Sequence, residues 1–212
     1  MGSVTISASY GAHGDQIGHE VAERLALAFL DRAIPAAVAR QLRLSDEAAI
    51  TLDQRAPSLW DRIVRSFSGL DATFAGATLA TTSLESSEAF RATTEQVLVE
   101  VADTTGAVIL GRAAMIVLRD RPDVLRVRLD GPLDARIAQV VETGIDEATA
   151  RETQKDVDSA RRNYASYFYD VSQDDIHLYH LVIDSTALAV DVCVKLIVEA
   201  ARALFAGADQ AT

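Results

Sequence analysis

Two places in this chain carry residues whose types and spacing suit chemistry on a phosphate. The first is Tyr10-Gly-Ala-His-Gly-Asp15, which follows an alternating run (Val4, Ile6 and Ala8 against Thr5 and Ser7) and precedes a helical one. A strand that feeds a helix through a glycine turn aims backbone N–H groups and the positive end of the helix dipole at one point. The full phosphate-loop pattern GxxxxGK[ST] adds a Lys for the terminal phosphates and a hydroxyl for magnesium. Here Gly14 stands at the Lys position and Asp15 at the Ser/Thr position. The loop by itself leaves two readings open: a phosphate cradle, or a tight turn that uses Gly11 and Gly14 only for their conformational freedom. The second place is Arg112. It follows Ala107-Val-Ile-Leu-Gly111, which reads as a buried parallel strand and its exit. Open α/β sheets bind ligands beyond the carboxyl ends of their strands, and a guanidinium fork suits a phosphate or a carboxylate. Its alternative role is a surface ion pair with one of the many acids. Asp31 and Arg32 are further candidates for ligand contacts, against the plainer role of a solvated helix end.

Metal and thiol chemistry find little support. His177 and His180 have no His, Cys or acid beside them at ligand spacing, and Cys193, among Val190, Val192, Val194 and Leu196, reads as a small buried hydrophobe.

The elements that must position these residues follow from periodicity. Ile17, Val21, Leu25 and Ala28 form one helical stripe, with His19, Glu20, Glu23 and Arg24 opposite, and Phe29-Leu-Asp-Arg32 reads as the end of that helix. Residues 33–42 read as a helical segment broken by Pro35. Ser58-Leu-Trp-Asp61 has the form of a capping box, with Trp60, Ile63, Val64 and Phe67 as an apolar face, and residues 69–83 read as a loop with one short helical turn. A helix is expected over 87–106, with Phe90, Val97, Leu98, Val101 and Ala102 on its face. A strand at 107–110 and a helix through Leu118 come next, then a strand over 124–129. Gly131-Pro132 opens a helix whose Leu133, Ile137, Val140 and Val141 are expected to face inward. Residues 146–169 form a long helix with hardly any apolar stripe in its first half, carrying Arg151, Lys155, Asp156, Asp158, Arg161 and Arg162. Burial cannot anchor such a helix, so it is either a solvated arm or a flap that closes on something charged. Tyr164, Tyr167, Phe168 and Tyr169 dock its end or make a subunit contact. Leu181-Val-Ile-Asp184 reads as another strand, leading into Ser185. The last helix, 188–205, buries Val190, Val194, Ile197, Ala201 and Leu204. Strands alternating with helices give a doubly wound parallel sheet, an α/β fold.

With 212 residues, 49% hydrophobic and 24% charged, the composition suits one compact domain over 1–212. No apolar run approaches the roughly 20 residues of a membrane helix, and the amino terminus lacks a signal-peptide pattern, so the expected location is cytoplasmic. A net charge of −11 argues against nucleic-acid binding, which needs a basic face.

The order of elements resembles that of the cytidylate kinase-like family, nucleoside monophosphate kinases of the P-loop fold, over nearly the whole length. Four stretches carry the resemblance: Ile6-Ser-Ala-Ser-Tyr-Gly-Ala-His-Gly14, Phe29-Leu-Asp-Arg32, Val108-Ile-Leu-Gly-Arg112 with Arg119-Asp-Arg-Pro-Asp-Val124, and Leu181-Val-Ile-Asp-Ser-Thr-Ala-Leu188. Asp158-Ser-Ala-Arg161 adds the Asp-x-x-Arg pattern of the lid. The resemblance implies transfer of the γ-phosphoryl of ATP, with magnesium, to a nucleoside monophosphate, CMP or dCMP first, and a helical lid at 145–170. By the same analogy Gly11, Ala12, His13, Gly14 and Asp15 border the ATP phosphates, and Asp184 and Ser185 lie near the adenine. Arg112 holds the acceptor phosphate, with Asp31 and Arg32 on the acceptor side. Arg161 stabilises the charge in flight, and Asp158 orients the lid.

The sequence departs from the family pattern in places that matter to this chemistry. Ala8 and His13 replace an Arg and a Gly of the loop, Ala113 replaces the Asp after Gly-Arg, and Gln154 replaces an Arg four residues before Asp158. Two functional classes follow: a divergent kinase whose acceptor is a nucleotide or another small molecule, or a kinase-shaped protein without catalysis that serves as a nucleotide sensor or an oligomeric interaction module. Homo-oligomerisation is open in both.

Overall fold

The alternating run near the amino terminus becomes the middle strand of a parallel sheet. The computed structural model describes residues 2–30 and 80–210. Along them run β1 (Ser3–Ala8), α1 (Gly14–Leu25), β2 (Ala28–Leu30), α2 (Ala80–Thr104), β3 (Ala107–Leu110) and α3 (Ala114–Val117). Then come β4 (Val124–Asp130), α4 (Leu133–Glu142), α5 (Glu147–Tyr169), a 3-10 turn at Ile176–Leu178, β5 (Leu181–Asp184) and α6 (Val190–Gln210). The strands order as β2-β3-β1-β4-β5, every described pairing parallel. This is the doubly wound α/β fold expected from the alternation of elements. The chain divides into two compact units, residues 1–31 with 98–212, and residues 32–97; the sheet belongs entirely to the first. The described part of the second is residues 80–97, within α2.

Both faces of β1 are covered, as parallel sheets require. On one side Val4 and Ile6 pack with Ile17 and Val21 of α1 and with Cys193, Val194, Ile197 and Ala201 of α6. Residues on the opposite face, Ser3, Thr5 and Ser7, are also buried, and the Ser7 hydroxyl lies 3.7 Å from Met115 Sδ of α3. Met115 belongs to a second cluster with Ile116, Ala165 of α5 and Tyr179. No helix among the described residues is long and apolar enough to cross a membrane.

Several boundaries differ from expectation. Phe29 and Leu30 do not end the first helix: α1 stops at Leu25, Ala26 turns left-handed at φ 54°, and Ala28–Leu30 pairs with β3 as a strand. Gly18 makes this possible, because a Cβ there would meet the Phe29 ring at 2.4 Å. Asp31 and Arg32 lie outside the described residues, as do the segments at 33–42 and 58–67. α2 begins at Ala80, so residues 80–83 are helical rather than loop. The helix after Arg112 is a single turn, Ala114–Val117.

In α4 the inward side is only partly the predicted one, with Val140 half-buried. Ile137 is buried, but Leu133 and Val141 are exposed, and Arg136 takes a buried place. The charge-rich α5 is not a solvated arm. Asp146 caps its start by accepting the Thr149 N–H at 3.0 Å, Arg151 bonds Asp134 of α4 at 2.8 Å, and Ala150, Asp158 and Ala165 are buried. Small side chains and polar pairs dock this helix where an apolar stripe is missing.

Candidate functional site

The loop between β1 and α1, residues 9–13, is shaped by two left-handed residues. Gly11 sits at φ 79° with no room for a side chain, since a Cβ would lie 2.4 Å from the Arg136 carbonyl oxygen. His13, at φ 52°, is a non-glycine residue in the same region, and it starts α1 without a side-chain cap. The first amides of α1 therefore take no bond from the cap, as an anion site at a helix start requires. Gly14 is fixed for another reason: a Cβ there would come within 2.5 Å of the Ala8 Cβ. The position that holds Lys in the full motif is sterically closed to any side chain. Asp15 projects from the first helical turn into solvent.

Side chains from four other elements hold this loop in place. The Tyr10 N–H donates to Asp158 Oδ1 at 2.9 Å, and the Tyr10 carbonyl accepts from Arg136 Nη1 at 2.8 Å. Ser9 Oγ accepts from Arg128 Nη2 at 2.9 Å, and the Ser185 hydroxyl donates to the Ala12 carbonyl at 2.9 Å. Arg161 Nη1 donates to the Ala8 carbonyl. The charged members form a chain of alternating sign: Asp174, Arg128, Asp130, Arg136, Asp158, Arg161, with closest approaches of 3.4, 3.2, 3.5, 3.1 and 4.0 Å in turn. Arg128, Arg136 and Asp158 are more than nine-tenths buried along it. A buried charge is tolerable only when paired and hydrogen-bonded, which this chain provides.

Asp158 is the hub. Burial by itself would raise its pKa, but bonds from the Gln154 amide (2.8 Å), the Tyr10 N–H and the Arg136 guanidinium outweigh it and hold the carboxyl below its ordinary range. Gln154, at a position where the family pattern has an arginine, satisfies Asp158 without adding charge.

The other predicted residues fall as follows. Ser185 is buried against the loop. Asp184, next to it, folds back on its own turn, bonding the Thr186 hydroxyl at 2.6 Å and the Thr186 N–H at 2.9 Å; the hydroxyl first and the N–H second lower its pKa. Arg112 stands at the end of β3, which the Gly111 N–H ties to the Ile6 carbonyl of β1 at 2.9 Å, so it shares the carboxyl end of the sheet with the loop. Gly111, Arg112 and Ala113 have consecutive positive φ of 76°, 61° and 51°. A left-handed conformation costs a non-glycine residue about 1–2 kcal/mol, and such strain collects at functional sites. Asp158, Arg161, Ser185 and the loop are thus brought together, and Arg112 is placed on the neighbouring strand end.

Sequence reasoning missed Ser9, Arg128, Asp130, Arg136 and Asp174. A signal existed for Arg128: in Leu125-Arg-Val-Arg-Leu129 the arginines alternate with core residues in a strand covered on both faces, so each needs an acceptor inside. Arg136 gave none, because its partners come from loop carbonyls and from another helix.

Residues 3–187 match the cytidylate kinase-like family. The chain belongs to that family. No curated protein matches it at significant similarity. Among solved structures, an uncharacterized protein from Eubacterium ventriosum ATCC 27560 is 16% identical with a TM-score of 0.64, over 95% of this chain and 99% of that one. A gluconokinase from Sinorhizobium meliloti 1021 is 12% identical with a TM-score of 0.54, over 97% of this chain and 94% of that one. At such identities the likeness is one of fold, that of P-loop kinases.

Proposed function

We propose that this member of the cytidylate kinase-like family is an ATP-dependent phosphotransferase that moves the γ-phosphoryl group to a nucleoside monophosphate, CMP or dCMP first. One observation carries the reading. The Asp158-Ser-Ala-Arg161 segment of α5 meets the end of β1 and the loop after it, with Asp158 accepting from the Tyr10 N–H and Arg161 donating to the Ala8 carbonyl.

ATP supplies the phosphoryl group, and its magnesium neutralises charge on the phosphates. The chain's own part is positioning. The uncapped amides at Gly14 and the following residues face the phosphates, bordered by Gly11, Ala12 and His13, and Ser185 fixes the far side of the loop. Arg112 takes the acceptor phosphate, and the family resemblance assigns Asp31 and Arg32, outside the described residues, to the acceptor as well. Arg161 meets the charge on the group in transfer while Asp158 sets the register of α5, with residues 145–170 acting as the lid.

A second reading, a nucleotide sensor without turnover, is favoured by one feature: Gly14 cannot be replaced by the Lys of a full phosphate loop. The test is ADP and nucleoside diphosphate formation with magnesium, ATP and CMP, dCMP, UMP, AMP or GMP in turn, beside an Arg161→Ala control. Turnover with one acceptor that the control abolishes supports the kinase. ATP binding without turnover for every acceptor supports the sensor.

A further inference from the structure

We propose that Arg128 is the phosphate-binding cation of this chain, taking the part of the Lys that Gly14 excludes, and that Asp174 is its counter-ion until a phosphate displaces it. The inference rests on the nucleotide reading above and adds to it a residue from outside the loop.

Four observations lead there. Arg128 lies on β4 opposite Ser7 of β1, so its side chain starts two residues before the loop, and Nη2 reaches Ser9 Oγ at 2.9 Å. Its side chain is only 8% exposed, yet its neighbours Asp130 and Asp174 are 40% and 51% exposed, so the buried cation meets solvent at the mouth of the loop through its acids. The contacts to Ser9, Asp130 and Asp174 all leave from Nη2 and the Tyr179 hydroxyl also faces the guanidinium, so of its five N–H donors the fork keeps capacity for a further oxygen acceptor. The Asp174 contact is the longest of them, 3.4 Å, and Asp174 sits in the turn after α5 rather than on the sheet.

Asp130 has a second cation, Arg136 at 3.5 Å, and its backbone carbonyl accepts the Ser185 N–H at 3.0 Å, which fixes it in the framework. Asp174 has no second cationic partner among the described residues. An incoming phosphate therefore displaces Asp174 and leaves the Arg128–Asp130 pair intact. Charge-assisted bonds from an arginine fork to phosphate are stronger than a single stretched bond to an exposed carboxylate, which sets the direction of the exchange.

The test is binding of Mg-ATP by calorimetry and of adenosine by NMR titration, for the wild type, Arg128→Lys, Arg128→Met and Asp174→Asn, each checked by circular dichroism. Arg128→Met is expected to weaken ATP about tenfold or more, the scale of a lost charge-assisted donor, with adenosine unchanged. Arg128→Lys keeps part of the affinity, and Asp174→Asn tightens ATP several-fold. If the wild type binds ATP and Arg128→Met binds it within twofold, Arg128 is only a structural tie and the proposal is overturned. Should Arg128→Met not fold, Asp174→Asn decides, and an unchanged ATP affinity overturns the exchange. A wild type that binds no ATP removes the nucleotide reading and this inference together.

Discussion

Asp158→Ala puts the ladder of charges around the loop to a quantitative test. The substitution removes a carboxylate, 6% exposed at its side chain, that accepts bonds from Tyr10 N–H, Arg136 Nη1 and Gln154 Nε2. Arg136 keeps the Tyr10 and Gly131 carbonyls and the more distant Asp130, but loses its nearest counter-charge. Breaking a buried pair by removing one partner costs about 3–5 kcal/mol. Asp130 reduces that, so the lower half, about 3–4 kcal/mol, is the expectation. In a chain of this size each kcal/mol moves the melting temperature by about 2–4 °C, giving a fall of roughly 6–16 °C. Asp158→Asn, which keeps the shape and one acceptor oxygen, should cost about half as much. The assay is thermal and urea unfolding followed by far-UV circular dichroism at neutral pH. A melting temperature for Asp158→Ala within about 2 °C of the wild type would refute the view that this carboxylate holds α4, α5 and the loop together. The pH profile gives an independent check. The folded-state pKa of Asp158 is depressed, so its contribution is fully present above the unfolded value of about 3.9 and is lost as pH falls through and below it. The wild type and Asp158→Asn should differ most near neutrality and converge in acid.

Three further substitutions follow from local geometry. Gly14→Ala drives a Cβ to 2.5 Å from the Ala8 Cβ and should destabilise the protein by about 1–3 kcal/mol, read as a lower urea midpoint. Gly18→Val forces the Phe29 ring off α1, where a Cβ already falls at 2.4 Å, and should detach β2 with a loss of similar size, visible as faster amide exchange at Ala28–Leu30. Ala26→Gly relieves a left-handed alanine at the end of α1 and should raise stability by about 0.5–1 kcal/mol, with a higher melting temperature as the readout.

Period and punctuation made much of the fold legible. The alternation of Val4 and Ile6 with Thr5 and Ser7, that of Leu125, Val127 and Leu129 with two arginines, and the short apolar runs before Gly111 and Ser185 put four strands in their places, and stripes such as that from Ile17 to Leu25 the helices between them. Where the reading failed, a contact between distant residues decided the outcome. Nothing local marks Ala26 as left-handed, and only Gly18 under the Phe29 ring turns an apparent helix end into β2. Period likewise put Leu133 and Val141 of α4 inside, but the charge chain claims that side for Arg136. The candidate site was half visible: the loop, Arg112, Asp158, Arg161 and Ser185 stand in recognisable motifs. Arg128, Arg136 and Asp174 meet the site largely through distant partners, Arg128 with Asp174 46 positions away and Arg136 with Tyr10 126 positions away, and a single sequence does not name such partners.

The central claim is that the loop between β1 and α1 is a nucleotide-phosphate site. It is tested most directly by titrating Mg-ATP into the isotope-labelled protein and following backbone amides by NMR. The account predicts saturable shifts that are largest at Gly11, His13, Gly14 and Asp15, with smaller ones at Tyr10 and Ser185. Shifts centred elsewhere, or no shift at millimolar Mg-ATP, would contradict it.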